Sequence, residues 1–224
     1  MRDVNRPRDA YHHGDLRNAL VASAVRLVER DGPGAFSLRE AARDVGVSAN
    51  AAYRHFEDKS ALMMAAAAEG FARLAKRMMR AMDRAREGAS VERTSIARFK
   101  AVGRAYVEFA LENPELFRLM FSESAKGCLR ADATEQDRAA PRPWELLGTS
   151  LDALVDDGVL PPAGRDGAEL KAWTVVHGFA LLTLDGYAGD TRGRGRAAAL
   201  EEVLAFAVLG LCGEAPSRIV ESDG

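Results

Sequence analysis

Residues 37–59 read SLREAARDVGVSANAAYRHFEDK, and this stretch decides the fold. Ser37, followed three residues later by Glu40, is the S-x-x-E pattern of a capping box, which opens a helix by satisfying its free amides. Leu38, Ala41, Ala42 and Val45 recur at helical spacing and give that helix one apolar side, with Arg39 and Arg43 on the outer side. Gly46 follows the last turn, where a left-handed backbone favours glycine. Val47 is placed to plug a small core. Ser48 is the next cap candidate, for a helix running through Phe56. Asp58 caps a third helix and puts Lys59 and Ser60 in its first turn. Two short helices around a glycine turn make a helix-turn-helix over residues 37–56, the arrangement whose second helix can enter the DNA major groove. Lys59 is electrostatically misplaced at a helix N-terminus unless an anion is near, and a phosphate would resolve the conflict.

The Leu38-to-Val47 pattern, Gly46, Tyr53, His55-Phe56 and Lys59 together resemble the TetR family of bacterial one-component transcriptional regulators. Upstream, YHHGDLRNAL (residues 11–20) resembles the way many members enter their first helix, so the match covers residues 11–76. The resemblance implies a DNA-binding set of Ser37, Arg39, Ser48, Ala49, Asn50, Ala51, Tyr53, Arg54, His55 and Lys59. Within it, Arg39 reaches a base or a phosphate. Ala49, Asn50 and Ala51 form the exposed first turn of the recognition helix, and Tyr53, His55 and Lys59 hold phosphates. The chain departs from the family at Ala51 and Ala52, where many relatives carry Thr or Gly and then Leu. Two alanines leave little hydrogen-bonding capacity, so base reading is expected to lean on Arg39, Asn50 and Arg54, plus DNA shape. Asn50 can pair with adenine, and alanine methyls can touch thymine methyls. Read from the residues alone, Phe56 is core and Arg43 is solvated or ion-paired, while the less favoured alternatives are that Tyr53 packs its ring and leaves its hydroxyl wet and that His55 is an ordinary surface histidine.

The 224-residue chain is 47% hydrophobic but only 7% aromatic, a balance that favours helices. No alternating strand pattern stands out, so the expected fold is all-α. An N-terminal three-helix head (residues 14–74) precedes a C-terminal helical bundle (residues 94–212) that, by the resemblance, binds a ligand and dimerises. Cys128 and Cys212 lie far apart without metal-type spacing and fit a reducing cytosol. The apolar runs fall short of a membrane span, and the charged N-terminus lacks a signal-peptide core, so a cytoplasmic protein without metal or cofactor is expected. The net charge of −2 is unevenly divided. Residues 1–86 carry 16 Lys+Arg against 11 Asp+Glu, or +5, and the remainder 15 against 22, or −7. The positive half contains the motif, as expected of a nucleic-acid partner. Arg2, Arg6 and Arg8 with two histidines make either an arm that reaches DNA or a frayed terminus.

Helical periodicity and breakers place further helices at residues 15–30, 58–86, 94–111, 114–121, 144–156, 168–187 and 196–211, with residues 122–143 a polar loop and AGDTRGRG (188–195) a basic linker. Along the long 58–86 helix, Leu62, Ala67, Phe71, Leu74, Met78 and Met82 face inward. VLAFAVLGL (203–211) is apolar on every face, so one side is available to a partner subunit. Gly178, Ala180 and Gly186 would allow close helix approach. These features suggest a homodimer made by two helices from each subunit, as TetR-like proteins form, although a filled monomer core would also accommodate them. Trp173, His177 and Gly178 make a W-x3-H-G pattern that resembles the C-terminal domain of one TetR subgroup. Trp173 and His177 share a helix face and could stack, with His177 either lining a pocket or serving as a satisfied core residue.

The resemblance also implies a cavity for an unidentified small-molecule effector. Its candidate lining is Met78, Met82, Phe99, Tyr106, Phe109, Phe117, Met120, Phe121, Trp144 and Leu147, joined by Trp173 and His177. By spacing alone the same side chains read as core. The expected function is a DNA-binding repressor acting on a palindromic operator and released by its effector; a ligand-dependent activator is the variant reading. Two other classes remain open on the residues: an enzyme using His177 with Asp185 or Glu169, which no nucleophile, metal or phosphate-loop motif supports, and a helical interaction protein with a purely structural helix-turn-helix.

Overall fold

The computed structural model describes residues 13–34, 36–87, 94–125, 141–188 and 194–213. The described residues are helical, with no strand among them: α1 (His13–Asp31), α2 (Leu38–Val45), α3 (Ala49–Tyr53), α4 (Lys59–Glu87), α5 (Thr94–Glu112), α6 (Pro114–Met120), α7 (Pro143–Asp156), α8 (Ala168–Leu184) and α9 (Arg194–Cys212). Single 3-10 turns lie at Glu123–Ala125 and Pro162–Gly164. No helix among the described residues is long and apolar enough to cross a membrane. The arginines of the N-terminal arm, Cys128, most of the 122–143 loop and residues 189–193 of the basic linker lie outside the described residues.

The chain divides into two compact units, one from residues 1–70 with 115–131 and the other from residues 71–114 with 132–224. In the first, α1 buries Leu20, Ala24, Val25, Leu27 and Val28 against α2 and its neighbours. A polar clamp fixes the same contact. The buried Ser23 hydroxyl donates to Asp44 at 2.6 Å, and Arg26 reaches the same oxygen at 2.7 Å. Leu62, Ala66 and Ala67 of α4 and Leu116, Phe117, Leu119 and Met120 of α6 are also buried in this unit. Gly70 permits a close approach there: the space a Cβ would occupy is 2.8 Å from the Met120 sulfur.

The second unit is built around α5, which packs on α7, α8 and α9. Its buried residues (Phe99, Val102, Tyr106, Val107 and Phe109 among them) lie all round the helix, as expected of a central element. Each such large side chain contributes about 1.5–3 kcal/mol on burial. Gly103 lets α9 and α8 come close, because a Cβ there would lie 2.5 Å from Leu204 and 3.3 Å from Val176. Along α4 in this unit, Leu74, Ala75, Met78 and Met82 are buried, whereas Phe71 is half-buried.

Candidate nucleic-acid interface

The reading head is assembled from local rules. The Ser37 hydroxyl accepts from the Glu40 amide at 3.2 Å and caps α2. Only this half of the expected capping box is seen: the Glu40 carboxylate faces Arg30 of α1 at 3.4 Å, because a guanidinium from a neighbouring helix competes with the local amide. Gly46 is left-handed at φ 79°, and bonds from Gly46 N–H to Arg43 O (3.1 Å) and from Val47 N–H to Ala42 O (2.9 Å) close the Schellman pattern. Ser48 caps α3 by accepting from the Ala51 amide at 3.2 Å. The expected helix through Phe56 is shorter than its pattern: α3 ends at Tyr53, and His55 and Phe56 both donate to the Ala52 carbonyl in a turn. That turn drops Phe56 into the core at 4% exposure, with the Arg17 guanidinium over its ring.

Inward and outward residues then separate cleanly. Ala41, Ala42 and Ala52 are buried under the motif, and Val45 and Val47 are half-buried. Ser37, Arg39, Arg43, Ser48, Asn50, Tyr53 and Arg54 are exposed, with Ala49, Ala51 and His55 half-buried between them. Ala52 therefore serves as the contact residue beneath the recognition helix, and Asn50 is the exposed amide on its first turn. Lys59 has a partner inside the fold. Its ammonium donates to the Gly34 carbonyl at 3.0 Å and lies 5.2 Å from the Phe36 ring centroid. A carbonyl and a π face thus offset the unfavourable helix terminus without requiring an anion.

The candidate ligand residues are divided between the two units. Phe117 and Met120, with Phe121, belong to the unit that holds the helix-turn-helix, where Phe117 packs on Phe121 at 4.9 Å between ring centroids. Met78, Met82, Phe99, Tyr106 and Phe109 are buried in the other unit, as is Leu147, while Trp144 is 47% exposed. Tyr106 of α5 is bonded to two residues of α8. The Trp173 indole N–H donates to its oxygen at 3.0 Å, and its hydroxyl lies 2.7 Å from His177 Nδ1. Since the indole can only donate, the bonding is complete when Tyr106 donates to a neutral His177 carrying its proton on Nε2. Burial pushes the His177 pKa down and holds the Tyr106 phenol well above its ordinary value. Trp173 and His177 are in contact with centroids 5.3 Å apart, tilted by 51°, and Trp144 meets Trp173 edge-on at 5.9 Å. Glu169 bonds Arg165 at 2.7 Å, and His177 meets Tyr106 through Nδ1. No metal-binding group of His, Cys, Asp and Glu occurs among the described residues.

The outer side of α8 and α9 is apolar. Leu182, Phe206 and Leu209 are exposed, the last two at 66% and 72%, whereas Leu204, Ala207 and Leu211 of α9 face the unit's own core. Gly178 borders open space on this side, but Ala180 is turned inward, and Gly186 lies in the left-handed turn after α8 rather than on a helix face.

Residues 20–66 match the family of bacterial regulatory proteins of the tetR type, and residues 99–207 match the tetracyclin repressor-like C-terminal domain. A solved structure from Rhodococcus sp. RHA1, of a protein with unknown function, is 31% identical with a TM-score of 0.69, covering 92% of this chain and all of that one (100%). A TetR family transcription regulator from Marinobacter aquaeolei VT8 has 20% identity and a TM-score of 0.57, covering 86% of this chain and 93% of its own. A TetR variant from Acinetobacter baumannii AYE, solved in complex with minocycline, has 17% identity and the same TM-score of 0.57 over 87% of this chain and 91% of its own. The last two are likenesses of fold. A capped helix-turn-helix with an outward-facing tip, joined to an all-helical unit and matched at both ends by the same family, makes this chain a member of the TetR family of DNA-binding transcriptional regulators and not an enzyme.

Proposed function

We propose that the protein is a homodimeric repressor that reads a palindromic operator in the cytoplasm and is released by a small-molecule effector. The observation that carries this reading is the outward tip from Ser48 to Tyr53 above the buried Ala52. Residues 14–74 act as the reading head, with Asn50, Arg39 and Arg54 at base edges, Ala49 and Ala51 against thymine methyls, and Ser37, Ser48, Tyr53, His55 and Lys59 at phosphates. Lys59 reaches a phosphate by leaving or sharing its Gly34 carbonyl.

Residues 94–212 act as the sensing and pairing region. The exposed apolar side of α8 and α9 supports a two-fold interface, which sets two recognition helices about 34–36 Å apart for successive major grooves. The effector lodges in the second unit beside Trp144, Trp173, His177 and Tyr106, with Met78, Met82, Phe99 and Phe109 as the adaptable apolar lining; Phe117 and Met120 are buried in the other unit. Because α4 contributes to both units, it is the natural carrier of the signal. A coupling of about 3 kcal/mol would weaken operator binding roughly 150-fold.

The test is selection of bound sequences from a random DNA pool at two salt concentrations. Enrichment of a palindrome, with affinity falling as salt rises, is the expected result. Salt-sensitive binding without an enriched motif would overturn sequence-specific regulation.

A further inference from the structure

Arg73, Arg77, Arg80 and Arg84 follow one another along α4 at three- and four-residue steps and so form one row, with Lys76 four residues before Arg80 alongside it. From Arg73 to Arg84 the row extends about 16 Å along the helix axis. It forms one wall of a groove of about 830 Å³ whose other wall is α5, all within a single compact unit. The charge is concentrated here. Residues 71–114 hold 10 Lys+Arg against 5 Asp+Glu, whereas residues 132–224 hold 8 against 16. The groove is therefore a positive feature in an acidic body.

Part of that charge is structural. Arg77 bridges to Glu108 at 3.0 Å and to Glu112 at 2.8 Å, which ties the two walls together. Arg104 on the α5 wall is held by Glu201 of α9 at 2.7 Å. Lys76, Arg80 and Arg84 are not neutralised in this way. Among the described residues no carboxylate pairs with Lys76, Arg80 or Arg84, and Arg84 Nε instead donates to the Arg80 carbonyl at 3.1 Å. Three like charges at i, i+4 and i+8 repel one another, an unfavourable arrangement that an anion would relieve.

We propose that this groove binds a small molecule carrying two or more linked phosphates. Guanidinium groups match phosphate oxygens in bidentate geometry, and the stretch of about 12 Å from Lys76 to Arg84 presents more cations than a single phosphate or carboxylate can reach. The volume is in the range of small-molecule sites, about 300–1,000 Å³. The groove is lined more by polar than by apolar surface, and its largest apolar side chain, Phe109, is buried, which disfavours a fatty ligand. Glu108 and Glu112 on the α5 wall would repel a phosphate backbone that continued past the row, so the occupant is a compact polyanion and not a nucleic-acid strand. This site goes beyond operator reading and does not depend on it.

The experiment is calorimetric titration of the full chain with inorganic tripolyphosphate, and separately with orthophosphate, at constant ionic strength. Saturable binding of one tripolyphosphate per chain is expected, with orthophosphate much weaker. Lys76→Ala and Arg80→Ala should each weaken it about tenfold, Arg80→Lys less so, while Arg43→Ala on α2 leaves it unchanged. Circular dichroism of each variant checks that the fold is intact. No saturable binding, equal binding of orthophosphate, or an equal loss in Arg43→Ala would overturn the proposal. So would a loss of DNA affinity in Arg80→Ala without tripolyphosphate present, which would assign the row to DNA.

Discussion

The Ser23 hydroxyl, fully buried on α1, donates to the Asp44 carboxylate of α2 at 2.6 Å and so ties the first helix to the motif. This bond first, and the Arg26 guanidinium second, hold the Asp44 carboxyl below the usual carboxylate range. A depressed acid stabilises the fold above its unfolded pKa and loses that contribution as pH falls through the folded value. The clamp should therefore act in full above about pH 4 and fade below it. Asp44→Asn should melt below the parent at neutral pH, with the gap closing on acidification, as followed by circular dichroism. A gap independent of pH would show that the charge contributes nothing.

In the second unit, burial lowers the His177 pKa, so the fold favours the neutral ring that Tyr106 bonds. Here the stabilisation is present above the unfolded value of about 6.5 and is lost as pH falls through the lower folded value. Unfolding midpoints of the parent should decline as pH falls below about 6.5, and His177→Gln should not show that step. Tyr106→Phe strands the Trp173 indole N–H and should cost about 1–3 kcal/mol in urea unfolding.

Phe206 and Leu209 stand exposed on α9 and are proposed to be covered by the second subunit. Phe206→Asp would bury an unpaired charge there and should weaken dimerisation about 100-fold or more, turning the protein monomeric at micromolar concentration in sedimentation experiments. An unchanged dimer would place the interface elsewhere.

Gly46 adopts φ 79° with open space around the position of a Cβ, so a substitution meets backbone strain and no clash. Gly46→Ala should destabilise the chain by about 1–2 kcal/mol. Its melting temperature should fall, and operator selectivity at permissive temperature should persist.

Asn50 is exposed on the first turn of α3. Asn50→Ala should relax preference at one base pair per half-site by about 1–3 kcal/mol, read from repeated pool selection. A uniform loss across all sequences would make Asn50 a phosphate contact.

The helix-turn-helix was legible because its determinants are local: Ser37 and Ser48 cap the helices they precede, and Gly46 needs only its own turn. What was not legible depends on neighbours distant in sequence. Glu40 has the spacing of a capping box, yet Arg30 of α1 draws its carboxylate away. Lys59 reads as a cation waiting for phosphate until Gly34 and Phe36 are brought to it by the fold. Phe117 and Met120 of α6 belong to the first unit and Met78, Phe99 and Tyr106 to the second, and no periodicity announces that division. Tyr106 and His177 lie 71 positions apart, and their hydrogen bond exists only once α5 and α8 pack. The α8–α9 face was legible in the other direction, because an all-round apolar helix leaves a side to cover and the structure leaves Phe206 and Leu209 uncovered.

The recognition helix runs only from Ala49 to Tyr53, less than two turns, too short to hold its shape without the residues around it. Its scaffold is Gly46 at one end, Ala52 beneath and Phe56 beyond, while Ala49, Asn50 and Ala51 contribute to the tip and little to the support. Fold and address are thus written in alternate letters of one short word. The three tip positions can be exchanged to redirect the protein to another promoter while the supporting letters keep the head in shape, which makes this segment a practical cassette for building regulators with chosen targets.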